Sequence, residues 1–147
     1  MSWKDIEDLL SNGHEIGGHT YKHDRVNDLS LDIFKEDFEK THQKLVKYCG
    51  KVEHFAYTYG SFDDCYEEAI EFVYNFGYAS CASGVRGCHI KEVYKPEKGN
   101  LLLRRDQIIG GWPTSHSLYF IANSSRKASI NNHYSPLKKY NERKQEF

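Results

Sequence analysis

Two histidines with three residues between them stand in Gly17-Gly18-His19-Thr20-Tyr21-Lys22-His23. Imidazole is the commonest protein ligand for zinc and its relatives. At this spacing both rings can face one point if the segment turns helically, because residues four apart share a helix face. The preceding glycine pair suits a tight turn and a close approach to a bound group. On spacing alone, two such histidines are more often plain surface residues than ligands. A zincin-type His-Glu-x-x-His fails here: His14-Glu15 opens one, but Gly18 holds the place of its second histidine.

The elements around the pair follow from pattern. Ser2 and Asp5 form a capping-box start, and Trp3, Ile6, Leu9 and Leu10 share a helical face that Asn12-Gly13 ends. His14 to Gly18 reads as a short buried strand leading into the histidines. Ser30 opens a longer helix to about Cys49, with Phe34, Phe38, Leu45, Val46 and Cys49 inward and Gly50 as its stop. Val52 to Tyr57 alternates as a strand, and Thr58 to Ser61 reads as a turn. Asp63 or Asp64 is expected to cap a third helix with the stripe Tyr66, Ala69, Ile70, Val73, Tyr74, ended by Gly77. Tyr78 to Ala82 and Leu101 to Leu103 read as strands, 86–100 as a loop, and 118–122 as an apolar stretch of either type. Helix-then-strand repetition predicts an α/β fold with parallel strands. Sites in such folds collect where strands end, which would bring His19 and His23 near the Thr58 turn.

Composition bounds the rest. The 147 residues suffice for one domain with a core, and a net charge of -1 gives no reason to expect nucleic acid. Apolar runs are too short to span a bilayer, and no charged-then-apolar leader opens the chain, so a cytoplasmic location is the default expectation. Cys49, Cys65, Cys81 and Cys88 are dispersed, which favours buried free thiols over disulfides, a nucleophile or a structural zinc cluster. From residue 123 the chain turns polar and basic, which favours a solvated tail over an anion-binding one. The expected organisation is a domain over 1–122 and a tail over 123–147.

The wording around the histidines adds a resemblance. Asn12-Gly13-His14-Glu15-Ile16-Gly17-Gly18-His19-Thr20, closing on His23, resembles the second motif of the polysaccharide deacetylases, the NodB-like carbohydrate esterases. Phe55-Ala56-Tyr57-Thr58-Tyr59-Gly60-Ser61 is similar to that family's Phe-Ala-Tyr-Pro-Tyr-Gly loop. The two occur in family order, and the resemblance covers roughly residues 1 to 110.

It implies a distorted (β/α) barrel and removal of N- or O-acetyl groups from carbohydrate. It also implies a divalent metal, zinc first with cobalt, nickel or iron as alternatives, on two histidines that match His19 and His23 and on one aspartate. The backbone N–H of Tyr59 would hold the oxyanion, and Tyr57 and Gly60 would contact substrate.

Departures qualify these expectations. The family's Thr-Phe-Asp-Asp strand end, source of the catalytic base and the third ligand, has no counterpart here. Ala56 and Thr58 replace an arginine and a proline, and neither His116 nor His89 makes a convincing Leu-x-His. The expectation is therefore a domain lacking its first strands, weakly active or inactive by itself, with an N-terminal companion segment or an oligomer covering the open edge. The alternative is a non-catalytic carbohydrate-binding or vestigial domain.

Overall fold

A computed structural model describes residues 1–61, 63–86 and 102–130. Helix α1 (Trp3–Ser11) begins with the predicted capping box. Ser2 Oγ accepts from the Asp5 N–H at 3.3 Å, while the Asp5 carboxylate accepts from the Ser2 N–H and is held below its usual pKa by that bond. Helix α2 (Leu31–Cys49) starts on Ser30, whose side chain accepts from the Ile33 N–H, and stops at Gly50. Strand β1 (His54–Ala56) follows, then α3 (Glu67–Asn75), β2 (Ser80–Ala82), β3 (Leu102–Leu103) and α4 (Thr114–Ile130).

The strands form one parallel sheet in the order β1-β2-β3, with Phe55 opposite Cys81 and Cys81 opposite Leu102. Helices α2 and α3 cover it with an aromatic core. Phe38 lies 5.3 Å from Phe55, 5.0 Å from Tyr78 and 5.3 Å from Phe72, centroid to centroid. Each fully buried aromatic or aliphatic side chain contributes about 1.5–3 kcal/mol by leaving water. Trp3 and Leu45 remain partly exposed, so α1 packs on α2 from outside the core, with the Trp3 ring stacked on Tyr48 at 3.8 Å.

Several expectations are corrected. The segment before the histidines is no buried strand: His14, Glu15 and Gly17 are exposed, and only Gly18 bridges to Phe55, in parallel. Besides β1 the segment meets α1, whose Leu9 carbonyl accepts from the His14 N–H at 3.1 Å, and Glu15 turns outward to His54 at 3.2 Å. Gly17 passes so close to β1 that a Cβ there would sit 2.8 Å from the His54 carbonyl oxygen. Asp63 and Asp64 do not cap α3, whose N-cap is Tyr66, without a side-chain hydrogen bond. The apolar stretch near 118 is helical, and α4 continues past residue 123 to Ile130. Cys88, His89, most of the expected 86–100 loop and the chain from 131 lie outside the described residues. Cys49, Cys65 and Cys81 are free thiols, and burial pushes Cys65 and Cys81 up to about 12. No helix of the described residues is long and apolar enough to cross a membrane.

Candidate metal centre

His19 follows the Gly18 bridge directly and is anchored to the same strand. Its Nδ1 lies 2.6 Å from the Ala56 carbonyl oxygen. A carbonyl only accepts, so Nδ1 donates, and in the neutral ring that tautomer leaves the lone pair on Nε2. Such an orienting bond is what metal-binding histidines commonly make through their other nitrogen.

His23 comes to the same place, though not by a helical turn. Thr20 and His23 adopt left-handed backbone, with φ of 52° and 62°, and curl the chain back on itself. The two imidazole centroids end 5.0 Å apart with their planes at 74°. A left-handed residue other than glycine costs roughly 1–2 kcal/mol, so the surrounding contacts must hold this loop. Two of them are in view: the Tyr21 N–H donates to Asp37 Oδ2 at 2.7 Å, and the Thr58 hydroxyl donates to the Asp24 carbonyl. Thr20 went unnoticed in the sequence, although it sits between the two histidines. Its hydroxyl is buried and has no partner among the described residues.

The turn after β1 lies against this loop, as expected. Tyr59 is left-handed at φ 59°, and its ring centroid is 5.3 Å from that of His23. Its backbone N–H takes no acceptor among the described residues. Gly60 fits against Gly84 so tightly that a Cβ on Gly60 would lie 2.3 Å from the Gly84 nitrogen, and the Gly84 N–H donates to the Gly60 carbonyl at 2.7 Å. Thr58 does not loosen the turn as the loss of proline suggests. It is fully buried, and its hydroxyl ties the turn to Asp24.

Tyr57 is placed differently from its expected role. Its side chain is fully buried, with the hydroxyl donating to the Ala69 carbonyl at 3.1 Å, so that side chain supports the core. Burial raises its pKa well above the usual tyrosine value.

Arg25 and Asp64 were also missed as partners. Asp64 is buried, accepts from the Ser61 N–H at 2.8 Å and pairs with Arg25 at 3.1 Å, while the Arg25 guanidinium lies 4.9 Å from the Tyr59 ring centre. This carboxylate therefore braces the turn.

Among the described residues, no cluster of three His, Cys, Asp or Glu could hold a metal ion. Asp24 and Asp28, the first two acids after the pair in sequence, are exposed and do not complete one. His116 lies on α4 against Trp112 at 4.5 Å. The described donors are thus one pair of imidazoles, of a type that a divalent cation takes, with ring centroids 5.0 Å apart.

The comparison with curated proteins returned no match. The polysaccharide deacetylase family matches residues 1–77 of the 147. That span includes His19, His23 and the whole turn from Thr58 to Ser61, and on it the chain belongs to the polysaccharide deacetylase family.

Proposed function

We propose that the chain carries the histidine half of a metal-dependent centre that removes acetyl groups from N- or O-acetylated carbohydrate. The observation that carries this reading is the approach of His19 and His23, with Nδ1 of His19 committed to Ala56. His19 and His23 would hold a divalent cation, zinc before cobalt, nickel or iron. Bound there, the cation would polarise an acetyl carbonyl and acidify a water. The Ala56 bond holds the His19 ring against rotation, with Nε2 as the nitrogen free to take a cation. The uncommitted N–H of Tyr59 is available to a developing oxyanion, a contact typically worth about 3–4 kcal/mol in acyl transfer. Gly60, seated on Gly84, keeps that amide in place and leaves room for a sugar beside it. In this reading the three parallel strands are an arc of a distorted (β/α) barrel. An added strand from a companion segment or a second copy would pair with the exposed edge at 14–17.

By itself the chain should be a weak or inactive deacetylase. Two neutral imidazoles bring no negative charge to offset a cation, and no carboxylate among the described residues stands with them as base. General-base help is typically worth about 10²–10⁴-fold. The same shortage favours a second reading, a carbohydrate-binding or vestigial domain that keeps the fold without the chemistry.

The test is titration of the purified chain with zinc and cobalt, followed by acetate release from chito-oligosaccharides and acetylated xylan. One cation per chain is expected, at least tenfold weaker in His19→Ala and unchanged in His14→Ala, with acetate release near background. An unaltered affinity in His19→Ala would remove the metal role. Robust turnover lost in His19→Ala would show the chain complete as an enzyme, and an absence of metal binding together with glycan binding would establish the second reading.

A further inference from the structure

A cavity of about 400 Å³ opens where the parallel strands end, lined by Tyr59, Gly84, Arg86, Arg105, Asp106 and Gln107. Tyr59 belongs both to this cavity and to the contact with His23, so the cavity adjoins the histidine pair. Its cations are well placed and under-neutralised. Arg105 is fixed by backbone alone, with Nε donating to the Ser83 carbonyl at 2.6 Å and one terminal nitrogen donating to the Tyr57 carbonyl at 3.4 Å. Arg86 rests on the Phe120 ring, its guanidinium carbon 4.8 Å from the centre. Neither has a carboxylate within ion-pair distance among the described residues. Asp106 lines the same cavity without joining them, and its Oδ1 is buried with no hydrogen-bond donor among the described residues.

Two guanidiniums without a carboxylate partner among the described residues ask for an anion, and the planar fork of Arg86 matches a carboxylate bidentately. An unsatisfied carboxylate oxygen asks for a donor, and a plain inorganic anion would have none to give. An exposed tyrosine ring beside them offers an apolar face. A molecule with a carboxylate, several hydroxyls and an apolar ring face meets all three demands. We infer that this cavity is a subsite for an acidic sugar, a uronate unit of the chain whose neighbouring unit lies at the histidines. The inference rests on the chain acting on carbohydrate and specifies the class: an anionic glycan in preference to a neutral one. Arg86 and Arg105 take the carboxylate, Asp106 takes a hydroxyl, and the Gln107 amide is placed to do either.

The experiment is equilibrium binding of the metal-free full chain to labelled oligogalacturonate and to a neutral chito-oligosaccharide of equal length. The acidic oligosaccharide should bind at least tenfold tighter, and Arg86→Gln should bring the two within about twofold. Arg86→Lys keeps the charge but not the fork, and should lose at least threefold for the acidic ligand; it serves if Arg86→Gln does not fold. Equal affinities, no binding of either glycan, or a preference that survives both variants would overturn the assignment. So would displacement of the uronate by an equal concentration of inorganic phosphate, which would mark an unspecific anion site. No metal and no turnover enter this measurement, so its failure leaves the histidine reading to be decided separately by the metal titration.

Discussion

Thr58 illustrates how a single residue can replace a familiar one by a different physical route. Proline would fix the turn by restricting its own φ and its predecessor's backbone. Threonine fixes it with a buried hydroxyl on the Asp24 carbonyl, joining the turn to the histidine loop. Thr58→Val keeps the shape and removes the donor, leaving that carbonyl short of a partner. It should destabilise the chain by about 1–2 kcal/mol in urea unfolding. An unchanged midpoint would mean that the tie carries no weight. The identities of His19 and His23 were legible because residue type and order are local facts. The route that brings them together was not, since it depends on left-handed backbone at Thr20 and His23, residues that rarely adopt it. The burial of Tyr57 was hidden for a related reason: a strand residue next to a site can point to either face, and here its side chain points into the core.

Elements whose ends are set by neighbours in sequence came out as read. Ser2 with Asp5, Ser30 and Gly50 bound α1 and α2 where the capping pattern places them. The start of α3 did not, because the Asp64 carboxylate is taken by the Ser61 N–H and Arg25, both outside the helix. Strand β1 is shorter than its alternating pattern suggests, pairing only over His54–Ala56. The end of β2 and the turn after β1 depend on one another through Gly84. A Cβ there would lie 2.4 Å from the Tyr59 carbonyl oxygen. Gly84 has no left-handed φ, so Gly84→Ala tests the contact and not the backbone conformation. It should cost about 1–3 kcal/mol in chemical denaturation, the usual penalty for overfilling a packed site. It should also displace the Tyr59 amide, seen as chemical-shift changes confined to residues 57–61. A neutral effect on both would show that the contact is slack.

For the molecule as a whole, the α/β reading holds as a small parallel sheet with helices on it, because apolar periodicity along the first 82 residues is strong. The C-terminal region was harder: 118–122 is too short to separate helix from strand, and polar composition beyond 123 hid the continuation of α4. Global stability should respond to pH through His42. Its Nδ1 is 2.9 Å from the Tyr78 hydroxyl, its ring lies against Phe76 at 4.9 Å, and burial lowers its pKa below 6.5. Burial also pushes Tyr78 up to about 12, so its hydroxyl stays neutral beside the imidazole. Below pH 6.5 the unfolded chain binds a proton that the folded chain refuses. This contribution is therefore present above pH 6.5 and lost as pH falls through the folded value. Urea unfolding at pH 7.5 and 5.5 should show the fall, and His42→Gln should flatten the part due to this group. An identical pH response in the variant would reassign it.

The single bridge at Gly18 has a mechanical consequence. Gly18 N–H to the His54 carbonyl and Ala56 N–H to the Gly18 carbonyl fix the separation of the histidine segment from β1, at 2.8 and 2.9 Å. Two bonds at one residue make a pivot, whereas a ladder of several residues would also fix the torsion about it. The twist of residues 14–17 about that pivot is therefore separate from the His19–His23 loop, which its own bonds to Ala56, Asp37 and Thr58 hold in place.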